Sequence, residues 1–323
     1  MRYLSLFSGI GGFEVAIHQV FGQKATCVGY SEIDKDAIKE YERHYPDHQN
    51  LGDINLLKKK DIDKLGKIDL VVGGFPCNDL SSARHDERKG LEGDKSGLFW
   101  KMLNVLKWVR NNNPYVHIII ENNACMAHKW RDMITSELQK LFKKKVMCNY
   151  FDSSQWIIQR RRRFYWTLKE IDQYKGERVQ TMDDVLLPID QAVKYKLSDK
   201  AIRYLNESPR HLTGSQGEII VKKNNKCYEI QKTPYPTRVP VRSSSSIHDY
   251  IRCVDTSLQY LLDYRLCKTK KYFIPRYVSK YELNNLFGFP QNYVQTDLTV
   301  YRRLYGMSVV PIVIVHILSH LDL

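Results

Sequence analysis

The chain has 323 residues, of which 43% are hydrophobic and 27% charged, and its net charge is +14. This composition excludes a disordered chain and suits one large domain, or a catalytic domain with a smaller companion. The sequence predicts no bilayer-spanning run, and seven cysteines without CxxC spacing argue against a disulfide framework and against structural zinc. The positive charge favours a polyanionic partner, most commonly nucleic acid.

Strand-like and helix-like patterns alternate through the N-terminal half of the chain. Apolar runs predict strands at residues 2–7, 25–30, 68–73 and 116–120. Amphipathic patterns predict helices at residues 12–21, 34–44 and 97–111. A further strand is expected to end near Asp53. This βαβ alternation predicts an α/β fold with a doubly wound, mostly parallel sheet.

The periodicity weakens after residue 168, where three prolines (Pro234, Pro236 and Pro240) and a serine run at residues 243–246 indicate loops. Helical patterns return at residues 278–287 and 308–321. The sequence therefore predicts a main domain at residues 1–168 plus 276–323 and a smaller module at residues 169–275. Residues 151–275 carry 23 Lys and Arg against 14 Asp and Glu, so much of the positive excess lies there.

A glycine-rich loop, Phe7-Ser8-Gly9-Ile10-Gly11-Gly12, follows the first predicted strand and opens the first helix. Doubly wound sheets bind nucleotide-type cofactors at this position, and glycines let the backbone approach a ligand closely. The spacing is not that of dinucleotide-binding proteins, so a plain tight turn is an equally good interpretation. Glu32 lies where an acidic side chain can hold ribose hydroxyls. Asp53 could accept a hydrogen bond from an adenine amino group.

The segment Gly73-Gly74-Phe75-Pro76-Cys77-Asn78 places a cysteine at the C-terminal end of a predicted buried strand. Open α/β sheets carry their sites at this end. A cysteine is more often an inert core residue, but its position after Pro76 among small residues favours an exposed loop. Its thiol could act as a nucleophile if nearby cations lower its pKa.

Two further motifs carry charge next to predicted strands. Glu121 follows a β-branched run directly, so parallel strands would bring it to the same sheet edge as Cys77. A carboxyl group there could pair with a ring nitrogen; a helix cap or a salt bridge is the alternative. Arg161 and Arg163 precede an aromatic strand and are expected to point the same way. They could steady a thiolate, a base carbonyl or a phosphate, although arginine runs are usually solvated.

The order and spacing of these motifs resemble those of the DNA (cytosine-5)-methyltransferase family over residues 1–168 and 276–320. The matching blocks are Phe7 to Phe13, Glu32, Gly52-Asp53-Ile54, Pro76-Cys77, Glu121-Asn122, Gln159 with Arg161 and Arg163, Leu286 to Pro290, and Gly306 to Val309. Asn78 replaces the usual Gln, and the Pro-Cys-Asn-Asp-Leu-Ser string is similar to the animal de novo methyltransferases. Asn123 and Met307 also depart from the family's usual residues.

The resemblance implies the Rossmann-like fold of class I methyltransferases, with residues 169–275 as a target-recognition region. It implies S-adenosyl-L-methionine as cofactor, S-adenosyl-L-homocysteine as product, and no metal. The implied cofactor-binding residues are Phe7, Ser8, Gly9, Gly11, Gly12, Glu32, Ile33, Asp53, Ile54, Pro76, Ser308 and Val309.

The resemblance also implies four catalytic residues. Cys77 would add to carbon 6 of a flipped cytosine, Glu121 would bind N3 and the exocyclic amine, and Arg163 would bind the base carbonyl. Arg161 would support the thiolate loop. Composition alone suggests that residues 81–94 close over the base. Arg238, Arg242 and Asn224 are candidates for contacting the bases of the recognised site.

The implied partner is double-stranded DNA in the cytoplasm of a prokaryotic or phage-infected cell, with no membrane association. A restriction endonuclease partner, phage self-protection and epigenetic marking all remain open, as does the oligomeric state. Two alternative functions also stay open. One is a tRNA cytosine-5 methyltransferase on the same scaffold, and the other is an inert, methyltransferase-like DNA-binding regulator.

Overall fold

The computed structural model describes residues 1–77, 79–80, 90–197, 219–224, 227–231, 251–252, 260–263 and 274–323. The chain forms two compact units. The first consists of Met1–Asp152, Arg162–Lys175 and Ser308–Leu323, and the second of Ser153–Arg161 and Gly176–Met307. Residues 153–161 and 276–307, which the sequence analysis assigned to the main domain, thus belong to the second unit.

A six-stranded mixed sheet forms the centre of the first unit, with the order β2-β1-β3-β4-β7-β5. Its strands are β1 (Arg2–Leu6), β2 (Thr26–Ser31), β3 (Leu70–Gly74), β4 (His117–Asn123), β5 (Met147–Asp152) and β7 (Arg162–Thr167). The pairs β1–β2, β1–β3 and β3–β4 are parallel, whereas β7 runs antiparallel to both β4 and β5. The predicted α/β fold with a mostly parallel sheet is confirmed.

Helices cover this sheet. They are α1 (Gly12–Phe21), α2 (Lys35–His44), α3 (Lys59–Asp63), α4 (Leu98–Asn112), α5 (His128–Phe142) and α10 (Pro311–Leu318). Apolar side chains of β1, β3 and β4 pack with those of α4 and α5 in one buried cluster that includes Leu4, Val71, Ile118, Phe99 and Ile134. Helices α1 and α10 pack against each other. The β-branched strands and periodic helices of the sequence therefore bury a continuous core.

The second unit contains short elements. Its strands are β6 (Gln159–Arg160), β8 (Ile219–Asn224), β9 (Cys227–Gln231), β10 (Ile251–Arg252), β11 (Tyr260–Asp263) and β12 (Ile274–Tyr277). They form three two-stranded sheets, with β8–β9 and β11–β12 antiparallel and β6–β10 parallel. Its helices are α6 (Met182–Val185), α7 (Ile189–Ala192), α8 (Lys280–Phe287) and α9 (Leu298–Met307).

A buried ion pair explains why α8 belongs to the second unit. Arg276 and Glu282 are both buried, and the guanidinium binds the two carboxylate oxygens through Nη1 and Nη2 at 2.9 and 2.5 Å. The same carboxylate accepts hydrogen bonds from Ser279 at the helix N-terminus and from the backbone N–H of Leu187. Because paired buried charges need these partners, α8 stays with the segment that supplies them.

Two local expectations differ from the structure. No strand ends near Asp53 in the described residues; a single parallel bridge joins Tyr30 to Asn50 instead. Strand β4 does not stop at Glu121 but continues to Asn123, because β7 supplies a hydrogen-bonding partner for these residues. Pro311 opens α10 as expected, since a proline at the first helical position has no N–H to leave unpaired.

One described stretch, Leu298–Leu318, is long and apolar enough to cross a bilayer by length and composition alone. It comprises two separate helices, α9 and α10, and 56% of the tested window is buried inside the protein. Buried core helices have the same composition, so this stretch is only weak evidence that the chain enters a membrane.

A buried carboxyl group lies in the helix that follows the glycine-rich loop. Glu14, in the first turn of α1, is fully buried, and the Tyr41 hydroxyl donates a hydrogen bond to it at 3.0 Å. His48 Nδ1 lies 3.0 Å from the same hydroxyl. Burial raises the pKa of Glu14 from 4.5 to about 7, and burial lowers the pKa of His48 from 6.5 to about 4.

We expect Glu14→Gln to change how stability depends on pH. The folded-state pKa of Glu14 lies above its unfolded value, so its contribution to stability is complete below pH 4.5 and is lost as the pH rises through about 7. Relative to the glutamine variant, the natural protein should lose up to about 3 kcal/mol of unfolding free energy between about pH 5 and about pH 8.

Urea unfolding of both proteins across this pH range measures the difference. His48 is present in both, so its own titration largely cancels in the comparison. A stability difference that stays constant with pH would show that folding does not shift the pKa of Glu14.

Candidate active site

The pairing of β3 with β4 sets the positions of the predicted nucleophile and carboxylate. The strands are parallel, and Gly74, the last residue of β3, pairs with Glu121. Phe75, Pro76 and Cys77 then leave the sheet at its C-terminal edge. Cys77 and Glu121 thus share one edge of the sheet, as the parallel-strand argument predicted. This edge is where open α/β sheets bind their ligands.

Positions 73 and 74, which precede Cys77, have no room for a side chain and are both glycine. A Cβ atom on Gly74 would lie 2.6 Å from Oε2 of Glu121, and one on Gly73 would lie 2.7 Å from the carbonyl oxygen of Leu6. Any side chain at either position would displace a neighbouring strand or the carboxylate. The buried Asn122 side chain donates a hydrogen bond to the Phe75 carbonyl at 2.9 Å, which fixes the exit of the chain from β3.

Glu121 forms an ion pair with Arg163 across the β4–β7 pairing. Nε of Arg163 lies 2.7 Å from Oε1 of Glu121, and the two side chains are only 11% and 13% exposed. Arg163 pairs in register with Asn123, so it reaches Glu121 diagonally, two residues along the strand. The guanidinium therefore balances the charge of the carboxylate and holds its orientation next to Gly74.

Cys77 is half-buried, and a short turn follows it, in which the N–H of Leu80 donates to the Cys77 carbonyl at 3.0 Å. Among the described residues, the cysteines Cys27, Cys77, Cys125 and Cys148 form no disulfide. Cys77 therefore lies, half-buried and outside any disulfide in the described part of the chain, at the C-terminal edge of the sheet.

The glycine-rich loop contains backbone conformations with positive φ, which glycine adopts readily. Gly9 and Gly11 have φ values of +55° and +89°, and even Phe7 has a positive φ of +54°. The N–H of Gly11 donates to the Ser8 carbonyl, and that of Ser8 to the Ser31 carbonyl at the end of β2. Ser8 itself is buried, and its hydroxyl has no hydrogen-bond partner among the described residues.

Glu32 connects this loop to the end of β2. Its carboxylate accepts hydrogen bonds from the N–H groups of Gly9, Ile33 and Asp34, at 2.8, 2.8 and 2.9 Å. Ile33 beside it is largely exposed. The carboxylate thus has a fixed position at the C-terminal edge of the sheet, with an apolar side chain next to it.

Asn50, which the sequence analysis did not single out, connects Glu32 to the predicted adenine contact. Its side chain donates to the Glu32 carbonyl at 3.3 Å and accepts from the Gly52 N–H at 2.9 Å. Asp53 follows Gly52, is half-buried, and accepts from the N–H of Asn55. No pattern in the sequence could identify Asn50, because its role depends on the Tyr30–Asn50 bridge.

These residues fit a nucleoside-type cofactor. The unpartnered buried hydroxyl of Ser8, the half-buried Glu32 carboxylate and the exposed Ile33 offer polar and apolar contacts on one side of the sheet. Ile54, next to Asp53, is buried. In the part of the chain that the structure describes, no group of three or more His, Cys, Asp and Glu side chains could hold a metal ion.

Ser308 and Val309 are buried in the segment that leads into α10. The Ser308 hydroxyl donates to the Val309 carbonyl at 3.2 Å. Both belong to the first unit, as do Pro76 and the glycine-rich loop with Gly12 at the start of α1.

That Arg161 and Arg163 point the same way stays a prediction; the two residues belong to different compact units of the chain. Arg161 lies between β6 and β7 and belongs to the second unit. It is buried, its Nη2 donates to the Gly306 carbonyl at 3.0 Å, and its guanidinium lies 5.4 Å from the centre of the Phe287 ring. These contacts connect Arg161 to residues far along the chain.

Known proteins share parts of the sequence and the whole fold. The orphan methyltransferase M.Rho11sI of Bacillus phage rho11s is 46% identical over 109 residues, which are 33% of this chain and 20% of that protein. DNA (cytosine-5)-methyltransferase DRM2 of Arabidopsis thaliana is 38% identical over 119 residues, which are 34% of this chain and 19% of that protein. The matched region thus spans only about a fifth of each relative's length.

The crystal structure of S. pombe Dnmt2 methyltransferase is similar with a TM-score of 0.67 and 18% identity, over 99% of this chain and 97% of that chain. At this identity the similarity shows a common fold. The family described as C-5 cytosine-specific DNA methylase matches residues 1–322. Since that match covers nearly all of the chain, the protein belongs to the C-5 cytosine-specific DNA methylase family.

Proposed function

We propose that the protein is a DNA (cytosine-5)-methyltransferase that methylates carbon 5 of a cytosine in duplex DNA, with Cys77 as covalent nucleophile. The observation that carries this proposal is the register of β3 and β4, which brings Cys77 and the Glu121–Arg163 pair to one sheet edge. Family membership supports the same chemistry.

The chemistry follows from the poor reactivity of carbon 5. The Cys77 thiolate forms a bond to carbon 6, and the electron pair of the ring double bond becomes available at carbon 5. Glu121 hydrogen-bonds N3 and the exocyclic amine as charge develops, and Arg163, which holds Glu121, binds the base carbonyl. Once carbon 5 has taken up the methyl group, its proton is lost to a base, the ring double bond forms again, and the sulfur–carbon bond breaks to release the thiolate.

S-Adenosyl-L-methionine, when bound, supplies the electrophilic methyl group. We assign its contacts to the loop of Phe7, Ser8, Gly9, Gly11 and Gly12, to Glu32, Ile33, Asp53 and Ile54, and to Pro76, Ser308 and Val309. A carboxylate has about four lone-pair sites, so Glu32 keeps capacity for a ribose hydroxyl beside its three backbone donors. The Ser8 hydroxyl is a further contact.

Residues 169–275, of which 176–275 belong to the second unit, are the proposed target-recognition region. A positive excess over residues 151–275 favours phosphate contacts, and flipping the base costs a few kcal/mol that such contacts offset. Arg161 belongs to this unit, and its proposed support of the thiolate loop stays a prediction. Arg238, Arg242 and residues 81–89 of the predicted closing loop lie outside the described residues, as does the side chain of Asn224.

The proposed setting is the cytoplasm of a prokaryotic or phage-infected cell, in association with DNA. The similarity to an orphan methyltransferase of Bacillus phage rho11s fits self-protection of phage DNA; a restriction endonuclease partner and epigenetic marking remain alternatives. Bisulfite sequencing of DNA from cells that express the chain, compared with cells that express Cys77→Ser, identifies the methylated sites.

We expect the protein to form a covalent complex with duplex DNA that contains 5-fluorocytosine when the methyl donor is present. Fluorine cannot leave carbon 5 as a cation, so the sulfur–carbon bond persists and the complex survives denaturing electrophoresis. A duplex library with random flanks around the fluorinated base serves as substrate. Cys77→Ser should abolish the complex, whereas Cys125→Ala, at an exposed cysteine, should retain it.

The same experiment separates the alternatives. A complex with fluorinated tRNA but none with DNA would support an RNA substrate and contradict the proposal. DNA binding without any covalent complex would support an inert regulator.

We expect Glu121→Gln to lower the single-turnover rate of methyl transfer by about 10²- to 10⁴-fold. The amide keeps the size of the side chain but loses the charge that Arg163 balances and that stabilises the developing adduct. Glu170→Gln, at an exposed position, is the matched control. A rate for Glu121→Gln within a factor of three of the natural rate would remove Glu121 from the mechanism.

A further inference from the structure

We propose that Asp79 and Ser96 are positioning residues that hold the backbone of Cys77 in the conformation required for attack. This inference rests on the proposed role of Cys77. Both side chains lie outside the cofactor loop and the Glu121–Arg163 pair.

The two side chains connect the segments on either side of Cys77 to the approach of α4. Ser96, fully buried, donates through Oγ to the Pro76 carbonyl at 2.9 Å and accepts from the Asp79 N–H at 3.1 Å. One Ser96 oxygen therefore binds the residue before Cys77 and the residue two after it. Because the Leu80 N–H also binds the Cys77 carbonyl, the turn around the nucleophile is hydrogen-bonded from both sides.

Asp79 completes the connection in the opposite direction. Its Oδ2 accepts from the N–H groups of Ser96 and Lys95, at 2.9 and 3.2 Å. Asp79 and Ser96 thus exchange hydrogen bonds, each side chain with the other's backbone. The carboxylate has backbone partners at the N-terminal approach to a helix, where amide groups favour negative charge.

The chain packs closely around Asp79. A Cβ atom on Gly93 would lie 2.5 Å from Oδ2 of Asp79, and one on Gly97 would lie 2.6 Å from the Gly93 carbonyl oxygen. Leu80 and Leu91, on either side of this region, are buried in the main core cluster. The cluster of Asp79, Ser96 and the Pro76 carbonyl is therefore anchored to the core of the first unit.

Such anchoring matters for a covalent nucleophile. A thiolate must approach carbon 6 at near-attack distance, and a displacement of about 1 Å can lower the rate by about 10²-fold. The hydrogen bonds of Ser96 and Asp79 fix the peptide groups that flank Cys77, so they determine where its sulfur lies. Neither side chain needs to touch substrate for this role.

The test measures the rate of covalent complex formation with 5-fluorocytosine DNA in excess, together with the affinity for the methyl donor. We expect Ser96→Ala and Asp79→Ala to slow complex formation by about 10- to 100-fold with little change in donor affinity. Asp79→Asn keeps an oxygen that can accept both backbone N–H groups, so it should retain a rate within about threefold of the natural one.

Thr135→Val is the matched control for lost hydrogen bonds. Thr135 Oγ1 accepts from Trp166 and donates to the Arg131 carbonyl on α5, so this variant loses two hydrogen bonds in the same unit but away from Cys77. We expect it to lower thermal stability while the rate of complex formation stays within about twofold of the natural rate.

Each outcome decides the inference. Three results would overturn it. Ser96→Ala and Asp79→Ala could form the complex at natural-like rates, or Asp79→Asn could lose as much rate as Asp79→Ala. Thr135→Val could also lose as much rate as the Ser96 and Asp79 variants. The comparison of Asp79→Ala with Asp79→Asn stands even if Ser96→Ala fails to fold. Absence of a complex with the natural protein would instead contradict the proposed function itself.

Discussion

The parallel pairing of β3 with β4 is the constraint on which the proposed chemistry depends. A parallel register fixes which residues leave the two strands at the same level, and here it sets Gly74 beside Glu121. The carboxylate then occupies the space that a side chain at position 74 would need. Since Cys77 follows Gly74 by three residues, the same pairing places the proposed nucleophile just beyond the end of β3. Arg163 on the antiparallel β7 adds the opposite charge from the other side of β4.

Local patterns were sufficient to predict this edge of the sheet. Residues 68–73 and 116–120 are β-branched and apolar, so they predict buried parallel strands, and parallel strands necessarily bring Cys77 and Glu121 to one edge. Local patterns could not show which strands pair with each other. Strand β4 extends to Asn123 because β7 pairs with it, and β7 lies some forty residues further along the chain.

The same reason explains why the sequence could not show the partners of Arg161 or of residues 276–307. Arg161 binds Gly306, which is 145 residues away. Residues 276–307 have the helical periodicity of the main domain, yet the Arg276–Glu282 ion pair and the Leu187 N–H hold α8 in the second unit. Periodicity reports which face of an element is buried, and it carries no information about which other element covers that face.

Backbone amides hold three carboxylates in the loops of the first unit. Glu32 accepts from three N–H groups, Asp79 from two and the helix cap Asp34 from two. Amide donors are fixed by the fold and are insensitive to salt compared with exposed ion pairs, so these loops keep their shape as ionic strength changes.

In a chain with a net charge of +14, this arrangement has a consequence for the proposed substrate. Carboxylates that bind backbone amides need no lysine or arginine as partner, so they do not reduce the positive charge that can bind phosphate. Phosphate binding should therefore weaken with salt, while the geometry at the sheet edge does not change. The Glu121–Arg163 pair differs from these loops, because it combines a fixed carboxylate with a cation at the point where the cytosine would bind.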